Sequence, residues 1–184
     1  MTAVLAALVL LADPSVRPWP VGAGPRYTPP ARTAAVAAGA PVGTLRCGSR
    51  SASFRVHVEL FADRKVVIVP AGIGVAEPSR RDGATIVPRG CVYPLRTTAP
   101  DGIVEVARGS SLTLADLFRL WGRPLGPRRL VSFSSSSPVR AYVGGKLVRG
   151  PAGSIRLTPH AQIVLEVGRY VPPHPFFLFA GGTE

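Results

Sequence analysis

The residues able to do chemistry here are three histidines, two cysteines and a few carboxylates, and their spacing limits what that chemistry can be. His57, His160 and His174 carry imidazoles, which suit copper or zinc. They are widely separated, however, and Arg55 beside His57 opposes a cation, so a degenerate metal-binding module stands second to a metal-free reading. Cys47 and Cys91 have 43 residues between them. That is unlike the Cys-x-x-Cys spacing of a redox or metal thiol pair, and an even pair in an oxidising compartment reads as a structural disulfide. Closing a loop of that size would stabilise the fold by about 4 kcal/mol in the chain-entropy model. Glu59, Asp101, Glu105 and Asp116 are the candidate acids, with no carboxylate pair at glycosidase-like spacing. The Ser132–Ser137 run reads as a flexible loop and lacks the Gly-x-Ser-x-Gly elbow that would present one hydroxyl. Gly72-Ile73-Gly74 is followed by neither Lys-Ser/Thr nor a helix start, so it is no phosphate loop. A hydrolase-type enzyme therefore ranks third; no catalytic residue is assigned and no cofactor is expected.

The elements that would position these groups are mostly strands. Phe54, Val56, Val58 and Leu60 alternate with Ser53, Arg55, His57 and Glu59, the pattern of a half-buried strand. A turn at Ala62-Asp63-Arg64-Lys65 and the apolar Val66–Val69 complete a hairpin. Glu77–Gly90 reads as a charged surface loop, Cys91–Leu95 as a short extended segment, and Ile103–Ala107 as another strand. One helix is predicted from Thr113 to Gly122. Thr113 and Asp116 form a variant capping box, Leu112 and Leu117 stand at the staple positions, and Gly122 ends it. Leu114, Leu117, Phe118 and Trp121 make its apolar face. A second hairpin turns at Gly144-Gly145, where two glycines suit a type I′ turn. A last strand carries Ile163, Leu165 and Val167. The tail Val171–Phe179 should fold back over the sheet, because three phenylalanines are costly to expose. Tyr142, Trp121 and the tail aromatics could line a ligand groove, although core packing explains them better.

This order predicts an α+β domain with one helix on a mixed or antiparallel sheet. A β-grasp-like arrangement is the first expectation and a β-sandwich with one helix the second. Of the 184 residues, 1–12 form a signal-like apolar segment, 13–45 a Pro/Ala/Gly-rich linker and 46–184 a single β-rich domain. Thr2–Ala12 is too short to span a hydrocarbon core, which takes roughly 20 residues. Its length matches the apolar region of an export signal, although the usual basic segment before it is missing. A net charge of +12 invites a nucleic-acid partner. The arginines are scattered singly, with only Arg80-Arg81 and Arg128-Arg129 adjacent, and no aromatics are interleaved for stacking, so that role is not expected. A diffuse positive surface fits an anionic envelope component instead.

Five strings together resemble an uncharacterised family of exported bacterial proteins best represented in actinobacteria. They are Val69-Pro-Ala-Gly-Ile-Gly-Val75, Cys91-Val-Tyr-Pro-Leu95, Thr113-Leu-Ala-Asp-Leu-Phe-Arg-Leu-Trp-Gly122, Ala141-Tyr-Val-Gly-Gly-Lys146 and Pro159-His-Ala-Gln-Ile163. The resemblance runs from about Leu45 to Phe179. Fuller members carry a His-x-His pattern on the first strand and His-Thr-His after the Pro-Leu, a set that would suit a metal. This chain has Arg55 and His57 in the first place and Arg96-Thr97-Thr98 in the second, so most of that cluster is missing. The expectation is a secreted or envelope-associated, non-catalytic domain that binds an envelope component or has a structural role, with membrane attachment through the N-terminal segment as a further possibility.

Overall fold

The computed structural model of the protein describes residues 24–179, so the apolar run Thr2–Ala12 and the segment 13–23 lie outside the described residues. The described chain opens with β1 (Arg26–Tyr27) and the one-turn helix α1 (Ala34–Ala37), followed by the hairpin β2 (Ser53–Ala62) and β3 (Lys65–Val67). A small hairpin, β4 (Ser79–Asp82) and β5 (Thr85–Pro88), precedes β6 (Leu95–Arg96) and β7 (Ile103–Ala107). Helix α2 (Leu114–Trp121) leads into a three-stranded patch of β8 (Leu125–Gly126), β9 (Arg129–Leu130) and β10 (Phe133–Ser134). The chain then forms the hairpin β11 (Arg140–Val143) and β12 (Lys146–Leu147), and β13 (Gln162–Val167) comes last.

The main sheet runs β1-β3-β2-β13-β11-β12. β13 lies parallel to β2 and antiparallel to β11, while β3 and β7 both pair antiparallel with the same β2 strand at different heights. A hairpin, a helix, a second hairpin and a last strand laid parallel beside the first make a β-grasp arrangement of α+β class. Its order follows from the physics of the connections. Tight turns can join only antiparallel neighbours, whereas a parallel pair needs a long crossover. Here everything between β2 and β13 supplies that crossover.

Phe54, Val56, Val58 and Leu60 of β2 and Ile163, Leu165 and Val167 of β13 face one core with Leu114, Leu117, Phe118 and Trp121 of α2. The Asp116 carboxylate caps the helix by accepting from Thr113 N at 3.0 Å. Gly122 stops it in the left-handed region at φ 66°, where a Cβ would fall 2.2 Å from Thr33 Cγ2. Glycine therefore permits both the cap and the close approach of α1.

Cys47 and Cys91 are bonded, with Cα atoms 5.5 Å apart. The bond is flanked by a two-way backbone bridge between Gly48 and Val92, each bond 2.9 Å, and it ties the segment before β2 to the segment before β6. Among the described residues no helix is long and apolar enough to cross a membrane.

Three expectations change here. Residues 24–45, expected as linker, are part of the folded unit. Val36 and Leu45 are buried in the core, β1 pairs with β3, and Trp121 Nε1 donates to Pro30 O at 2.8 Å. The prolines exclude long elements, yet short ones are held by contacts from distant segments. Glu77–Gly90 is a β-hairpin rather than a loop, with Ile86 buried beneath its charged outer positions. The serine run is likewise partly ordered, since Phe133–Ser134 forms β10.

Candidate functional site: the outer face of the sheet

Side chains alternate across a strand, so the core positions of β2 leave Ser53, Arg55, His57 and Glu59 on the sheet face away from α2. Neighbouring strands place more polar groups beside them by register. Arg55 lies opposite Glu105, Glu105 opposite Arg96, and His57 between Ile103 and Gln162. Asp101, Ile103 and Glu105 follow the same period of two, and this brings the two carboxylates to one side.

The first half of this face is open. Ser53, Arg55, Thr98, Asp101, Ile103 and Glu105 line a cavity of about 320 Å³. Glu105 is held in place there: the buried Arg96 guanidinium pairs with one carboxylate oxygen, and Thr98 Oγ1 donates to the other at 3.3 Å. Asp101 Oδ1 accepts from Ile103 N at 3.0 Å. Burial is the largest influence on Asp101 and raises its pKa, aided by the charge of Glu105 and opposed by the Ile103 N–H and Arg55. The cavity thus combines two carboxylates with an arginine and two hydroxyl side chains, offering donors and acceptors together.

The second half is covered. His57 is wholly buried, with Nδ1 2.6 Å from Gln162 Oε1 and Nε2 3.1 Å from the Asp101 carbonyl. Oxygens face both ring nitrogens, so either the ring donates from both or the Gln162 amide turns over to supply a donor. Gly102, at φ 77°, lets the loop close on this ring; a Cβ there would lie 2.8 Å from His57 Nε2. Glu59 accepts from His174 Nδ1 at 2.7 Å. Burial raises the Glu59 pKa, against the opposing pull of His174. Further along, Arg140 reaches Glu166 Oε2 with Nη2 at 3.1 Å and Nε at 3.2 Å. Burial also raises the pKa of Glu166. The cover itself is the tail, with Phe177 stacked on the His57 ring at 3.8 Å and 14°.

The expected half-buried strand is therefore buried on both faces over much of its length, because the tail and the flanking strands close over His57 and Glu59. Of the three histidines proposed as ligands, His57 and His174 both address Glu59, with His57 Nδ1 3.9 Å from its Oε1. His160 sits apart in the turn before β13, against Phe179 with ring centroids 5.1 Å apart. Among the described residues no group of three or more His, Cys, Asp or Glu side chains is placed to hold a metal ion. Asp116 serves as a helix cap away from this face. Trp121 and Tyr142 are buried in the two apolar clusters on opposite sheet faces. Of the tail phenylalanines, Phe177 and Phe179 turn inward, whereas Phe176 is 68% exposed.

Sequence reasoning missed Arg96, Thr98, Gln162 and the pairing of Asp101 with Glu105. A signal was present. Polar residues at alternate positions 101 and 105, and again at 162 and 166, mark a sheet face that is not purely apolar. Comparison with known proteins returns no matching family model, no matching curated sequence and no matching solved structure.

Proposed function

We propose that this chain is an exported or membrane-tethered, non-catalytic domain that binds a cell-envelope component through the open cavity beside β2 and β7. The observation that carries the reading is that cavity: about 320 Å³ on the sheet's outer face, lined almost entirely by polar side chains. Pockets with a few convergent polar groups, one of them with a perturbed pKa, are the natural place to look for a ligand. The disulfide supports export, since such bonds persist in oxidising compartments. The apolar Thr2–Ala12 run points the same way.

The chemistry on view suits holding more than turnover. Both thiols are consumed in the disulfide, and Glu105 is engaged by Arg96 and Thr98. The positive charge of the chain draws anionic polymers toward the surface without selecting among them. Selection would fall to the cavity, whose mixed donors and acceptors match hydroxyl-rich groups of an envelope glycan.

Cosedimentation with purified bacterial cell-wall material tests this. The full chain is expected to pellet with the wall, and Arg55→Ala with Asp101→Asn to reduce pelleting at least fivefold while the disulfide stays intact. Equal pelleting by the variant overturns the cavity as the site. Recovery of the native chain from the cytosol with both thiols free overturns the export reading. Metal content of the purified protein, with His57→Ala as control, tests the copper or zinc alternative.

A further inference from the structure

We propose that the covered half of the outer face, around His57 and Glu59, is a docking surface for a proline-rich segment, and that the chain's own tail occupies it in cis. This is independent of export and of whatever the open cavity holds.

The tail is bound in an unusual way for a segment lying on a sheet. It carries prolines at 172, 173 and 175, none of which has an N–H to add to a ladder. Among the described residues no backbone–backbone hydrogen bond joins 171–179 to the rest of the chain. Side chains do the holding. His174 donates to Glu59 Oε2 at 2.7 Å, Phe177 stacks on His57, and Phe179 meets both His160 and the edge of Phe177.

The segment bends at Pro175, and His174 and Phe177, three positions apart, both meet the floor. With no N–H at its prolines, it is held through side-chain contacts rather than strand pairing.

The floor is the second observation. A segment that merely shielded the sheet would cover apolar residues, as Val171 does over the Phe61, Val66 and Tyr142 cluster. Beneath His174 and Phe177 the floor is instead His57, Glu59 and Gln162, groups whose burial costs free energy unless they are paired. Gln162 Nε2 is buried there with no hydrogen-bond partner. Such a floor reads chemistry rather than shape: a basic group over Glu59 and an aromatic ring over His57, three positions apart. Phe176 and Leu178, 68% and 62% exposed, face outward and leave that contact. Tethering gives the tail an effective concentration in the millimolar range, so a partner segment must compete with it.

The test uses a fluorescent peptide with the sequence of residues 168–179 and the full-length protein. The His174→Ala, Phe177→Ala double variant, whose own tail is unlatched, is expected to bind the peptide at least tenfold more tightly than the wild type. A peptide with the same two alanines should not bind, and an unrelated proline-rich peptide with arginine three positions before phenylalanine should compete. No binding to a folded double variant, equal binding by wild type and variant, or failure of the unrelated peptide overturns the proposal. If the variant does not fold, a protease site inserted between Arg169 and Tyr170 allows folding first and cleavage afterwards. The cut tail is then expected to leave on dilution and exchange with peptide; permanent retention overturns the proposal.

Discussion

The two faces of the central sheet are covered by different means. On the inner face a capped, amphipathic helix lays Leu114, Leu117, Phe118 and Trp121 against the even positions of β2. On the outer face an irregular, proline-rich tail lies over His57, Glu59 and Gln162, next to a cavity that is left open. The inner contact is apolar and non-directional, so its strength scales with the area buried. The outer contact depends on one directed hydrogen bond and a few ring contacts, which add little net stability. Stability is thus concentrated on one side of the sheet, and the proposed recognition on the other.

The largest expected effect should fall on the inner side. Trp121→Ala should cost about 3–5 kcal/mol, read as a lower denaturant midpoint, because it leaves a cavity and orphans the Pro30 carbonyl. Loss of the disulfide through paired Cys47→Ser and Cys91→Ser should cost about 4 kcal/mol or less by the same measurement. A negligible cost would mean that the reduced chain is already confined near those residues. Phe177→Ala should cost only about 1 kcal/mol, since a half-buried stack is lost and no core cavity is made. A loss as large as that of Trp121→Ala would erase the contrast between the faces.

A pH titration sharpens it further. Glu59, Glu166 and Asp101 all have pKa values raised chiefly by burial, so the folded state holds protons that the unfolded state has released. Their contribution to stability must therefore fall as pH rises from the ordinary carboxylate range through the raised folded values. Glu59→Gln, which cannot ionise, is expected to flatten that fall in a thermal-denaturation series. An unchanged slope would mean that Glu59 titrates normally under the tail. The smallest effect should come from the i,i+3 pair of Asp116 and Arg119 on the helix surface. Arg119→Ala should change stability by about 0.2–0.5 kcal/mol, measured by the shift in denaturant midpoint. A loss above 1 kcal/mol would show that the helix is held by more than its apolar face.

Much of the inner side was legible in the chain. The alternation from Phe54 to Leu60, the Thr113–Asp116 cap, the stop at Gly122 and the Gly144-Gly145 turn are local signals, each complete within a few residues. The α+β class and the β-grasp order followed from them. The short elements between residues 24 and 45 were not legible. β1 exists only because Val66 and Ile68 donate to Pro25 and Tyr27 at 2.7 and 2.8 Å, from a strand about forty residues away. The hairpin over Ser79–Pro88 was hidden for a similar reason, its charged composition masking the single buried Ile86.

The amino-acid order by itself determined which segments extend, which one coils into a helix, where they stop, and which residues are available to bind. Tertiary structure alone decided which of those residues meet. His57 finds Gln162 across 105 residues, Glu59 finds His174 across 115, and Glu105 lies between Arg96 and Arg55 through two strand registers. Turn, cap and periodicity preferences act over a handful of residues. Cross-strand neighbours are set by how whole elements dock, and it is that docking which makes one face of the sheet a core and gathers the polar groups on the other.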